Sequence, residues 1–435
     1  MRRIAIMVVL FVSPLLAQMP LNHYYAVQTH LGQMERTDID SIGMEMLLDA
    51  AQNAGLRSIR DECWWSEIEK VKGVFSFPHT VDRLIRSIQK RGLSVLLILN
   101  YNNPLYAAGA GSGISTDSNR IAFTRYCQEV VKRTSRFGVK CYEIWNEPNI
   151  KRFWDPQPSA MEYLQLLKMV YPAIKQIDST VTILAGATSP AENDPSVQGH
   201  VAWLPYLTTL FENDGGRYMD GLSFHFYRFD RGPEAFLVQD IQKLQSVVGM
   251  KRQLWITEAG YPTSSVWPNI SLEDQANYVS RLYLFGRSVP NLVHICYYDL
   301  RDDGVNVADN EANFGLLLHD NSPKPSYIAL RNVASLVGNK IFNALTRMDS
   351  TYVISFGSPI ERVLAVWTSG APETRTINTG MMNQVIYDRD GGRIRYALGD
   401  SLVTVTVTKA PQYIVATEPK GETRQPSRRP RTGRR

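Results

Sequence analysis

The sequence predicts an α/β protein, a (β/α)8 or TIM barrel followed by a small C-terminal β-sandwich. Three observations predict it. From about residue 24 to 300, eight short β-branched or apolar runs alternate with longer segments of helical period, the pattern of βα units around a parallel sheet. These repeats occupy roughly 300 residues, the size of one such barrel. After about residue 340 the helical period stops, and seven short alternating runs follow, separated by Gly, Pro, Asn and Asp turns.

Taken in order, residues 1–17 join Arg2 and Arg3 to an apolar run from Ile4 to Leu16 and end on Ala17, the form of a secretory signal peptide. The run is too short to cross a bilayer and no other stretch is long enough, so the mature chain is expected to be secreted or periplasmic, without a membrane span. The barrel is expected over residues 22–337. Its predicted strands are Ala26–His30, Leu56–Asp61, Val95–Asn100, Tyr142–Glu147, Val181–Ala187, Leu222–Tyr227, Gln253–Glu258 and Val293–Asp299. Its predicted helices are Asp40–Ala54, Val81–Arg91, Ile121–Arg136, Ala160–Ile177, Ala202–Phe211, Pro233–Val247, Leu272–Arg287 and Tyr327–Leu336. The sandwich is expected over residues 340–417, from Tyr352–Phe356, Arg362–Trp367, Glu373–Ile377, Gln384–Asp388, Ile394–Ala397, Leu402–Thr408 and Tyr413–Ala416. Residues 418–435 read as a disordered basic tail.

The formal charge of +5 invites a nucleic-acid partner, but its distribution argues against one. The tail holds seven Lys/Arg against two Glu and the leader holds two Arg, which leaves 38 basic and 40 acidic residues in the folded body. That body has no electrostatic footprint for a polyanion. Four cysteines in a chain of this size make no disulfide framework; Cys63, Cys127, Cys141 and Cys296 read as buried thiols, while export permits a bridge whose partners the sequence does not choose. No CxxC, HExxH or CxxH spacing supports a metal site, and no cofactor is implied.

Chemistry on such a barrel sits where strands end. The fourth predicted strand runs into Tyr142-Glu143-Ile144-Trp145-Asn146-Glu147-Pro148-Asn149, and the seventh into Leu254-Trp255-Ile256-Thr257-Glu258-Ala259-Gly260-Tyr261. Two carboxylates at the ends of strands 4 and 7 face each other across the barrel mouth. One can protonate a glycosidic oxygen while the other attacks the anomeric carbon. For this pair to act with retention, the carboxyl groups should stand about 5 to 5.5 Å apart.

Trp145-Asn146-Glu147-Pro148-Asn149 and Ile256-Thr257-Glu258-Ala259-Gly260 resemble the acid/base and nucleophile motifs of the clan of retaining (β/α)8 glycoside hydrolases, most like the family 39 and family 5 type. The resemblance implies that Glu147 is general acid/base and Glu258 nucleophile. It implies that Arg60 keeps the nucleophile ionised, that Asn146 binds the sugar 2-hydroxyl, and that His225 and Tyr227 form the His-x-Tyr of strand 6, with Tyr227 bonded to the nucleophile. The sequence departs from the pattern at two places. Tyr297 stands where the clan usually carries a tryptophan platform, and Asn100 where some members have histidine. Trp64, Trp65, Tyr101, Phe153, Trp154, Tyr261 and Trp267, in or near the strand-end loops, are candidate sugar-stacking surfaces, with Trp64 and Trp154 assigned to substrate. The expected partner is an oligo- or polysaccharide. A catalytically lapsed carbohydrate-binding protein and a transglycosylase are the alternatives on the same scaffold.

Overall fold

The computed structural model describes residues 8–9, 23–33, 38–106, 114–191, 199–229, 232–398 and 400–418. Two compact units divide between Asn339 and Lys340. Among the described residues, no helix is long and apolar enough to cross a membrane. The leader lies outside the described residues except for Val8–Val9, and so does the tail after Glu418.

The first unit is a closed barrel of eight parallel strands. They are β1 (Tyr25–Gln28), β2 (Ser58–Trp64), β3 (Ser94–Asn100), β4 (Cys141–Ile144), β5 (Thr182–Thr188), β6 (Gly221–His225), β7 (Gln253–Ala259) and β8 (Leu292–Tyr297). Nearly every residue of β3, β5 and β7 is buried, because helices cover the outside and side chains fill the inside. Four of the eight long barrel helices start at a side-chain cap. The Ser159 hydroxyl accepts the Glu162 N–H at the head of Ala160–Ile177, and Ser271 and Thr116 do the same for Leu272–Gly286 and Asp117–Thr134. The eight predicted strands and eight predicted helices are all present, with ends displaced by up to four residues.

The second unit holds β9 (Phe342–Met348), β10 (Thr351–Gly357), β11 (Glu361–Thr368), β12 (Glu373–Asn378), β13 (Asn383–Tyr387), β14 (Arg393–Leu398), β15 (Leu402–Val407) and β16 (Gln412–Thr417). One antiparallel sheet runs β9-β10-β11-β16-β13-β14, with Val8–Val9 paired to the outer edge of β9, and β12 pairs with β15 in a second. The sheets share a core of Val353, Leu364, Val366, Ile377, Ile386, Val403, Val405 and Ile414. β9 was not predicted. Its pattern of mostly half-exposed residues offers no clean alternation to read.

Candidate active site

β4 ends at Ile144, and the backbone then turns through two left-handed residues, Trp145 (φ 70°) and Glu147 (φ 44°). Such φ values cost non-glycine residues about 1–3 kcal/mol each unless surrounding contacts impose them. Here they do. The Trp145 N–H donates to Leu99 O at 3.0 Å and its indole N–H to Phe153 O at 3.1 Å. The Glu147 N–H donates to Ala187 O at 3.0 Å. That carbonyl belongs to an irregularity in β5 where Gly186 has φ 113°, and where a Cβ would come within 2.5 Å of Ser223 O. Asn149 clamps the far side, its amide donating to Ser189 O and Val201 O while its oxygen accepts the Ser189 N–H. Sequence reading quoted Asn149 only as a letter of the motif.

The turn delivers Glu147 opposite Glu258, which β7 carries in its last turn of pleat. His225, at the end of β6, joins them. Its Nδ1 lies 2.9 Å from Glu147 Oε1 and 3.3 Å from Glu258 Oε2. One ligand-type atom from each of the three residues lies within 4.8 Å of the others.

Arg60 is the hub beneath. Its guanidinium donates to Glu258 Oε1 at 2.7 Å, Gln28 Oε1 at 2.7 Å, Glu143 Oε2 at 2.8 Å and Asn146 Oδ1 at 3.2 Å. Glu143 and Gln28 are fully buried and were not singled out from sequence, although Glu143 sits in the quoted strand. With Oδ1 of Asn146 taken, that amide has donors to offer a ligand. The Tyr227 hydroxyl donates to Glu258 Oε2 at 2.7 Å.

The charges set the proton states. Burial works to raise the Glu258 carboxyl, but the His225 and Arg60 charges, with hydrogen bonds from Tyr227 and Arg60, outweigh it and hold Glu258 below its ordinary range. Burial works to lower His225, yet the Glu258 and Glu147 carboxylates raise it. Burial and the Glu258 charge push the Tyr227 phenol well up, so it stays a donor.

No family model matches the chain. Solved structures do resemble it. A family 39 glycoside hydrolase from the gut symbiont Bacteroides cellulosilyticus WH2 is 23% identical with a TM-score of 0.75, over 91% of this chain and 82% of that one. A monomeric β-xylosidase from Caulobacter crescentus CB15 is 15% identical with a TM-score of 0.66, over 92% and 97%. A family 30 endoxylanase from Clostridium papyrosolvens C71 is 16% identical with a TM-score of 0.59, over 92% and 97%. The likeness establishes the fold.

The aromatic assignments need three corrections. Tyr297 does not face the site. Period 2 turns Cys296 toward Arg60 and Glu258, sends the buried Tyr297 outward toward Tyr261, and brings the next residue, Tyr298, back inside. The Tyr298 ring lies edge-on to Tyr227 (6.4 Å) and to His30 (5.8 Å), so Tyr298 rather than Tyr297 is the strand-end tyrosine on the cleft side. Trp154 is 0% exposed and packs edge-on against Trp145 and Tyr163, so it supports the wall and cannot stack on a ligand. Trp65 and Tyr261 are likewise buried in the loops. Trp64 stays at the cleft, edge-on to Tyr101, which stacks on Phe153 at 5.3 Å. Trp267 is 74% exposed and meets Phe229. Asn100 is buried with both amide atoms lacking a partner among the described residues.

A cleft of about 600 Å³ is lined by Gln28, His30, Trp64, Arg152, Tyr298 and Glu311 among others; neither glutamate is in its lining, but Gln28 bonds Arg60 and Tyr298 meets Tyr227, the two groups that hold Glu258. A larger depression of about 920 Å³ lies at the opposite end of the barrel, around Lys175, Asp220 and Arg252, and contains none of these groups. The catalytic-type chemistry is all at the carboxyl ends of the strands.

Proposed function

We propose that this chain is a retaining β-glycoside hydrolase that cleaves an oligo- or polysaccharide by double displacement. One observation carries the reading: an oxygen of Glu147 and an oxygen of Glu258 lie within 4.8 Å, bridged by His225. Carboxyl pairs about 5–5.5 Å apart belong to retaining enzymes, whereas inverting pairs stand about 6.5–9.5 Å apart to admit a water. In the first step Glu147 gives its proton to the glycosidic oxygen while the ionised Glu258 attacks the anomeric carbon. The carbon–oxygen bond breaks and the aglycone departs as an alcohol. In the second step Glu147 takes a proton from water, the hydroxide attacks the same carbon, and Glu258 is freed. Arg60 and Tyr227 hold Glu258 ionised for the first attack and stabilise it as leaving group in the second. Neither step calls on a cofactor.

The substrate class rests on the cleft and on the relatives. Similar structures bear the names β-xylosidase and endoxylanase, which supports a β-linked plant or bacterial glycan, and residues 1–17 have the form of a secretory leader, which supports an enzyme that meets it outside the cytoplasm. The reading is tested with a 2-fluoro β-glycoside carrying a good leaving group. It should inactivate the enzyme and add one glycosyl unit to the peptide containing Glu258. Inactivation without a label, or a label on another residue, would overturn the assignment.

A further inference from the structure

A second histidine–carboxylate group lies at the rim of the same cleft, and the hydrolytic steps do not use it. It is built at the ends of β1, β2 and β8. The Asp61 carboxylate accepts Thr29 Oγ1 at 2.6 Å, the Leu31 N–H at 2.9 Å and the Gly32 N–H at 3.0 Å, which fixes the turn carrying His30. His30 Nδ1 then lies 3.1 Å from each oxygen of Glu62. A carboxylate at Nδ1 places the ring proton there and leaves the Nε2 lone pair free, the arrangement by which outer carboxylates prepare histidines to bind metals. Nε2 is buried and has no hydrogen-bond partner among the described residues.

Asp299 supplies the second, independent observation. It is 3% exposed and its Oδ1 is buried without a partner among the described residues. One ligand atom from each of His30, Asp299 and Asp303 lies within 4.8 Å of the other two. Ligands about 2.0–2.2 Å from one tetrahedral zinc ion stand roughly 3.3–3.6 Å apart, so side-chain shifts of about 1 Å close the site. Of the neighbouring cations, Arg301 is bonded to Asp38 at 2.5 Å and Lys324 to Asp302 at 2.6 Å.

We propose that His30, Asp299 and Asp303 bind a divalent metal ion of the zinc or manganese class, with Glu62 orienting His30. One imidazole with two carboxylates suits these ions, whereas calcium takes six to eight oxygens. Tyr298 separates this site from the glutamates, its ring meeting His30 on one side and Tyr227 on the other. The ion would bind whether or not Glu147 and Glu258 cleave glycosides.

The test is titration of the chelator-stripped full chain with Zn2+, Mn2+ and Ca2+ by calorimetry, with metal content measured after dialysis. The expected result is one Zn2+ or Mn2+ per chain, Ca2+ binding far more weakly, and a rise in melting temperature with bound metal. His30→Gln and Asp299→Asn should each abolish stoichiometric binding, and Glu62→Gln should weaken it about 10- to 100-fold. Glu258→Gln, in the other histidine–carboxylate trio, should leave the stoichiometry at one. Circular dichroism of each metal-free variant separates lost binding from lost folding, and His30→Gln carries the test if Asp299→Asn does not fold. No stoichiometric binding by the wild type, or binding lost with Glu258→Gln and kept with His30→Gln, would overturn the proposal.

Discussion

Replacing Arg60 with methionine tests the charge network that joins the barrel core to the site. Methionine keeps much of the stem volume and removes the guanidinium, which is 0% exposed and bonded to Glu143, Gln28, Glu258 and Asn146. Glu143, itself fully buried, is then stranded, and Glu258 keeps positive charge only from His225. Removing one partner of a buried ion pair costs about 3–5 kcal/mol, against about 0–1 kcal/mol for an exposed pair. Net stabilities are about 5–15 kcal/mol, so the loss would be a large share of the total. Adding Glu143→Gln should recover part of it, because the stranded charge makes the loss large. Urea unfolding of the wild type, both single variants and the double variant, followed by barrel tryptophan fluorescence, measures the coupling. A loss under about 1 kcal/mol with no recovery in the double variant would refute the network, since that is the range of exposed pairs.

Three further outcomes follow from the same geometry. Tyr227→Phe removes the phenol that holds Glu258 ionised, so the acid limb of kcat/KM should move to higher pH; an unmoved limb would detach Tyr227 from the nucleophile. Tyr298→Ala should lower kcat/KM with little change in folding, whereas Trp154→Phe should cost roughly 1–3 kcal/mol of stability and leave KM alone, and the reverse pattern would undo the platform correction. Stability should also follow pH with a definite sign. Glu258 is held below its ordinary 4.5, so its contribution is complete above that value and is lost as pH falls through the lowered folded value. His225 is held above its ordinary 6.5, so its contribution is complete below 6.5 and is lost as pH rises through the raised value. Both contributions are complete between 4.5 and 6.5, and His225→Gln should flatten the alkaline side of a melting-temperature profile.

The barrel was legible because its periods differ so plainly: buried strands of about six residues alternate with amphipathic helices, and that signal survives without any contact information. The two glutamates were legible because each stands where a strand ends, one inside Trp145-Asn146-Glu147-Pro148 and the other inside Thr257-Glu258-Ala259-Gly260. The failures share a cause. Tyr297 was placed in the site because the end of β8 could not be fixed to one residue, and in a strand a slip of one residue turns a side chain to the opposite face. Trp154 was assigned to substrate because loop position does not reveal burial, and its role in holding the left-handed Trp145 emerges only with the packing. Glu143 carries no local mark that separates it from an ordinary strand residue. Its importance comes from Arg60, 83 positions away in sequence.

The most direct test of the central claim is the stereochemistry of azide rescue in the two alanine variants, read by nuclear magnetic resonance of the glycosyl azides formed from an aryl β-glycoside. Glu258→Ala has lost the nucleophile, so azide should enter the space it leaves and yield the inverted α-azide. Glu147→Ala still forms the glycosyl-enzyme from a good leaving group and then stalls for want of a base, so azide should yield the retained β-azide. The same configuration from both variants, or turnover of natural substrate by either at the wild-type rate, would contradict the account.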